Sequence, residues 1–255
     1  MDLTFNDYIR NPMGKNNAVM SASMREMMRT RYKHKFDNIL LRENGKIEFY
    51  LYENSSDNTY WIYVKIPSEV VKKFYYDTVI KFSTNQKKLN AGRNLFDYNV
   101  QFFSNDPAFV YTYANVFLQK DLFINELKSK MSEKAIKDLP KEKNPDNNIG
   151  YVKSIYFVYL LMQNRNFNNL TNFSRFSEKL DIELLLNNIE DADIKIQERQ
   201  EEGKKVSKKK KLVIDKDTSK TLKSMGVTSD RLVTTTTKKV KKIKNVNTSK
   251  KIKKI

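Results

Sequence analysis

The chain has 255 residues, 48 basic against 30 acidic side chains (net +18), 39% hydrophobic content and no cysteine. That length supports one large core or two small ones, and the missing cysteines exclude disulfides, thiol catalysis and cysteine-ligated metals. The longest apolar run, Ile155–Met162, is far short of the roughly 20 residues that cross a bilayer, and the polar amino terminus does not read as a secretory signal, so a soluble protein made in a cytoplasm is expected, with no membrane span.

Thr4–Arg10 predicts a short helix closed by Asn11-Pro12-Met13-Gly14. Ser23-Met-Arg-Glu26 matches a capping box and predicts a second helix to about Lys35, with Met24, Met27, Met28 and Tyr32 at core spacing. A strand-rich part follows. Asn38–Glu43 and Lys46–Tyr52 flank Asn44-Gly45, the strongest short hairpin signal because both residues tolerate positive φ. Thr59–Ile66 alternates, with Tyr60, Ile62, Val64 and Ile66 opposite Trp61, Tyr63 and Lys65, and Pro67 stops it. Phe74–Ser83 and Leu95–Ser104 complete a five-stranded, mostly antiparallel sheet, with a polar loop over Thr84–Asn94.

From Asn105-Asp106-Pro107 the period becomes helical: Phe109, Val110, Tyr113, Val116 and Phe117 share one face. Leu122–Met131 continues as helix, Ser132 opens a short one, and Pro140–Asn148 is a linker. Ile149–Asn164 is apolar on most sides and predicts the central buried helix. Ile182, Leu185, Ile189, Ala192 and Ile196 suit either a short coiled-coil seam, hence a possible homo-oligomer, or a last packed helix. The fold class is therefore α+β: a globular region over 1–202, with its sheet part at about 36–104 and its helical part at about 105–202, followed by a flexible lysine-rich tail over 203–255.

Charge sets that tail apart. Residues 203–255 hold nineteen basic side chains against three acids (Asp215, Asp217, Asp230), a net +16, and no Trp, Tyr or Phe; the remaining 202 residues are nearly neutral. Ordering costs about 1–2 kcal/mol per residue in backbone entropy, more than scattered Val and Ile return, so a solvated arm is expected. Its clusters are Lys204-Lys205, Lys208-Lys209-Lys210-Lys211, Lys238-Lys239, Lys241-Lys242, Lys250-Lys251 and Lys253-Lys254. Lysines spaced through Ser, Thr and Asn follow a phosphate backbone without fixed geometry, and the near absence of arginine favours charge attraction over base reading. The arm predicts contact with DNA or another polyanion. A purely solubilising role competes with this. So does a membrane-facing stripe of Val240, Ile243, Val246, Ile252 and Ile255, which the poor helix formers at Thr234–Thr237 weaken.

Tyr50, Tyr52, Trp61 and Tyr63 share a strand face and are candidates for stacking unpaired bases, unless helices cover both faces of the sheet. Catalytic patterns are weak. The single histidine, His34, has no cysteine or carboxylate cluster beside it, and neither a Walker loop nor a dinucleotide glycine fingerprint occurs. Asp146 with Asp193 and Lys195 imitates a nuclease set, but from a linker and a predicted helix rather than a strand pair. No catalytic residue, metal or cofactor is expected.

The stretches Asn11–Val19, Phe102–Phe109 and Lys143–Val152 resemble uncharacterised structural or assembly proteins of tailed bacteriophages with AT-rich genomes, over roughly residues 1–165. None is a catalytic motif, and no functional residue is carried over. The resemblance implies a place in the virion, host cytoplasm during assembly, and other virion proteins as partners. The alternative is a free nucleic-acid-binding protein acting in phage replication, transcription or packaging.

Overall fold

The computed structural model describes residues 3–10, 21–84, 94–138, 144 and 147–210. Helix α1, Phe5–Arg10, buries Phe5, Tyr8 and Ile9; its expected breaker, residues 11–14, lies outside the described residues. Helix α2 spans Ala22–Arg42 and is capped by Ser21, whose Oγ accepts from the Met24 N–H at 3.2 Å. The start is thus two residues ahead of the capping box read at Ser23, and Ser23 Oγ instead bonds Ser21 Oγ at 3.0 Å. An N-cap hydroxyl contributes about 1 kcal/mol. Ser21→Ala should therefore lower stability in urea unfolding by about that amount, and Ser23→Ala by clearly less.

α2 also runs on past Lys35 through the segment read as the first hairpin strand. Asn44 and Gly45 do adopt positive φ, 51° and 71°, but they end a helix. The Gly45 N–H donates to the Leu40 carbonyl at 2.7 Å and the Asn44 N–H to the Leu41 carbonyl at 3.3 Å, the paired bonds of a Schellman motif. Burial of Phe36 and Ile39 on one side of α2 selects the helix.

The hairpin is formed instead by β1, Phe49–Asn54, and β2, Thr59–Pro67. β3, Tyr75–Ser83, and β4, Asn99–Ser104, each add antiparallel to the strand before; most of the loop joining them, residues 85–93, lies outside the described residues. The sheet order is β4-β3-β2-β1-β5. β5 is only Glu178–Lys179, parallel to β1 at Tyr52–Glu53. The sheet is five-stranded and mostly antiparallel as predicted, but its fifth member comes from residues 178–179 rather than 38–43. An open edge on β4 would invite foreign pairing, and the chain covers it. The Val100 N–H donates to Leu3 (3.0 Å) and the Phe102 N–H to Leu122 (2.7 Å).

After β4, the Asp106 carboxylate accepts from the Ala108 N–H at 2.9 Å and Pro107 occupies the first turn, so α3 spans Pro107–Thr112 as the acceptor-proline signal predicts. The expected single helix breaks at Tyr113, and α4 covers Ala114–Gln119. Leu122–Met131 is not the predicted α-helix. Pairing with Phe102 holds residues 122–124 extended, leaving a 3-10 helix at Asn125–Lys130. α5 is Glu133–Lys137, opened by Ser132.

α6, Lys153–Asn164, is the central buried helix predicted. It shares one sheet face with α1: Phe5 meets Phe82 and Phe102 with ring centroids 5.5 and 6.1 Å apart, and Tyr159 at 6.1 Å. α2 packs outside α6, with Phe36 against Phe157 at 5.6 Å. α7, Leu170–Phe176, lies beside β1 with Phe173 buried. The opposite sheet face meets Phe123, 6.1 Å from Phe103, and the end of α8, Ile182–Asn188. With both faces covered, central strand positions are buried on both sides.

Helix α9 spans Ala192–Lys210. Leu185, Ile189, Ala192 and Ile196 are buried in this chain's own core, so the 3-4 pattern is an internal contact and the coiled-coil seam does not form there. α9 also passes through Gly203, where the tail was expected to begin. One glycine costs a helix about 1 kcal/mol, and the Glu, Gln and Lys around it are good helix formers. By internal contacts the chain divides into Met1–Arg199 and Gln200–Ile255.

Candidate functional site

Of the lysines expected to meet a polyanion, Lys204, Lys205, Lys208, Lys209 and Lys210 stand on the last turns of α9. Lys211, Lys238, Lys239, Lys241, Lys242, Lys250, Lys251, Lys253 and Lys254 lie outside the described residues. The helix that bears the first cluster is rooted in the body at its other end. Ala192 and Ile196 are buried, and the Lys195 ammonium sits 2.7 Å from Glu190 and 4.7 Å from the centre of the Phe74 ring.

The root is fixed to the sheet by Asp77, a buried carboxylate in the middle of β3. Its Oδ1 accepts from the Tyr63 hydroxyl at 2.9 Å; Oδ2 accepts from Asn105 Nδ2 at 2.9 Å and from the Glu190 N–H at 3.1 Å. Tyr63 also donates to the Asn188 carbonyl at 3.2 Å, and Asn105 to the Glu190 carbonyl at 3.2 Å. One carboxylate therefore joins β2, β3, the β4–α3 turn and the α8–α9 turn. Burial pushes Asp77 above the usual carboxylate range even though Glu190 N–H, Tyr63, Lys195 and Asn105 pull the other way. Burial, and then the Asp77 charge, pushes the Tyr63 hydroxyl well up. No motif or spacing in the sequence predicts this node. Its signal is residue type, since Asp is depleted in strands and Asp77 stands among Tyr76, Thr78, Val79 and Ile80.

The four aromatic candidates do share a face, because Tyr50 pairs with Tyr63 and Tyr52 with Trp61. They do not present a stacking platform. Tyr52, Trp61 and Tyr63 are 5%, 2% and 1% exposed, and only Tyr50, at 40%, reaches solvent. Trp61 donates from Nε1 to Thr59 Oγ1 at 3.0 Å and holds the Lys81 ammonium 5.0 Å from its ring centre. The cover on that face, which includes the end of α8 at Asn188, leaves Tyr52, Trp61 and Tyr63 in the core.

The nuclease set is not assembled among the described residues. Lys195 is buried against Glu190, Asp193 is exposed, and Asp146 lies outside the described residues. No three His, Asp or Glu side chains among the described residues are placed to hold a metal ion. His34 is exposed on α2, 3.2 Å from the Asn38 amide. A groove of about 430 Å³ between α1, α2 and α6 is lined by Arg29, Lys33, Tyr156 and Tyr159 among others. Its Arg29 is already engaged, donating through Nη2 to the Ile9 carbonyl (2.6 Å) and the Tyr151 hydroxyl (3.1 Å).

Elsewhere in the body several charges are paired internally. Glu69 receives Lys35 at 2.7 Å and Lys153 at 2.9 Å, Lys81 meets Glu126, and Lys130 meets Asp191 at 3.4 Å. No described helix is long and apolar enough to cross a membrane. Comparison with protein-family models, with curated proteins and with solved structures gave no match. The class that fold and charge define is thus an α+β body continued by a lysine-rich carboxy-terminal segment.

Proposed function

We propose that the chain is a non-enzymatic structural or assembly protein of a bacteriophage particle. Its body packs against other virion proteins, and its basic carboxy-terminal arm lies on packaged DNA or on acidic surfaces of those partners. The separation of charge carries this reading: residues 203–255 hold +16 of the net +18, whereas the body is nearly neutral and pairs several of its basic side chains, Lys35, Lys130, Lys153 and Lys195 among them, with its own carboxylates. The phage context rests on the sequence resemblance. Co-sedimentation with purified, washed particles tests it. The chain should be retained in the virion fraction; its absence there, with DNA binding intact, would point instead to a free nucleic-acid-binding protein of replication, transcription or packaging.

A further inference from the structure

The body carries two oppositely charged surfaces. Over Ala22–Arg42, α2 has six basic and two acidic side chains, with Glu43 and Glu69 also pairing Arg42 and Lys35; residues 181–198 have six acids and one lysine, with Lys130 also pairing Asp191, so each surface keeps its sign. Each surface also presents large apolar groups to solvent: Met24, Met27 and Leu41 on α2 (47%, 63% and 78% exposed), and Leu184 and Ile194 (both 51%) on α8 and α9. On α2 the residues Met24, Met27, Arg31, His34, Asn38 and Leu41 are all exposed. Their 3-4 spacing makes them one stripe along a helix about 31 Å long, while Phe36 and Ile39 face the core. Among the described residues the side chains of Arg31, Glu183 and Asp193 make no hydrogen bond or ion pair.

The two surfaces do not meet within one molecule. α2 lies outside α6, over the sheet face of Phe82 and Phe102. The α8–α9 turn lies on the opposite face, where Asn188 receives the Tyr63 hydroxyl.

We propose that they meet between molecules, the α2 stripe of one copy docking on the acidic α8–α9 face of the next. Opposite charge steers the encounter and sets the register, and the exposed Met, Leu and Ile side chains supply the apolar area that closes it. The contact is heterologous. Each docked copy leaves one surface free, so association continues into a ring or an open chain. It depends on the body alone and stands apart from the role of the arm.

The test is sedimentation velocity of the full chain, freed of nucleic acid, over a dilution series at low and high salt. Association should rise with concentration and weaken with salt. Arg31→Glu and, separately, Asp193→Lys should each weaken it about tenfold or more, since like charges then face each other, with the thermal midpoint unchanged. Mixing the two variants gives the deciding result. Each retains one good surface and the two reversed charges also complement each other, so the mixture should associate at concentrations where neither variant does alone. A chain that stays monomeric at every concentration overturns the proposal, as does a mixture that fails to pair. So does association that survives Arg31→Glu but disappears when the arm lysines are replaced, which would make the arm the occupant of the acidic face. Loss of DNA binding by Arg31→Glu with association intact would assign α2 to nucleic acid instead.

Discussion

Replacing Asp77 with alanine is expected to destabilise the body by about 3 kcal/mol, because three donors lose an acceptor at once, the Tyr63 hydroxyl and Asn105 keeping only the more distant Asn188 and Glu190 carbonyls. Those donors are the Tyr63 hydroxyl, Asn105 Nδ2 and the Glu190 N–H. For a body of this size that corresponds to a fall in melting temperature of roughly 10 °C, readable by thermal unfolding. Asp77→Asn keeps an oxygen for Asn105 and Glu190, and the Tyr63 hydroxyl can turn to accept from the new amide. It should cost only about 1 kcal/mol. Equal losses in the two variants would show that the negative charge, not the acceptor geometry, holds the node.

The same pair of variants has a pH signature. Burial raises Asp77 above its ordinary value, so the folded state keeps the proton longer than the unfolded chain. Its contribution to stability therefore declines as pH rises from about 4 through the folded value. Glu69 has the opposite sign. Burial alone would raise it, but Lys35 and Lys153 outweigh burial and hold its carboxyl below the usual range. Its contribution is present above the unfolded value, about 4.3, and is lost as pH falls through the folded one. Asp77→Asn should remove the first dependence and leave the second, in urea titrations across the acid range.

The second large effect lies in the arm. Replacing Lys238, Lys239, Lys241, Lys242, Lys250, Lys251, Lys253 and Lys254 with glutamine should flatten the salt dependence of DNA binding. The slope of log affinity against log salt should shrink by about 0.9 for each lysine that had met a phosphate on duplex DNA. With six contacts, raising salt from 50 to 200 mM weakens the unaltered chain roughly a thousandfold; the variant should lose far less and start from weaker binding. Filter binding on one duplex at several salt concentrations measures this. Trp61 supplies a control within the same experiment. Its ring is buried, so its emission should not respond to added single strands, and quenching on binding would return the aromatic face to the argument. An unchanged slope would assign the arm to a partner other than DNA.

Where the sequence reading failed, local signals had two uses. Asn44-Gly45 predicts a hairpin because both residues tolerate positive φ, and they do take it. The same property ends a helix, and only the burial of Phe36 and Ile39 distinguishes the cases. Ile182, Leu185, Ile189, Ala192 and Ile196 were compatible with a second chain until the sheet occupied that stripe. The aromatic strand face was identified as a face, but its availability depended on helices far along the chain. β5, two residues long, carries no pattern of its own and exists because Glu53 accepts from the Leu180 N–H at 3.0 Å.

What the chain's order of residues determined by itself was whatever depends on near neighbours or on bulk composition. Alternation marked β2, the acceptor-proline start marked α3, the all-round apolar run marked α6, and the count of lysines marked the carboxy-terminal segment. Tertiary structure alone decided that both faces of the sheet are covered, where the fifth strand comes from, and that Asp77 gathers Tyr63, Asn105 and Glu190. Those partners come from separate parts of the chain. Their meeting reflects burial and hydrogen-bond satisfaction in three dimensions, which no short window of sequence encodes.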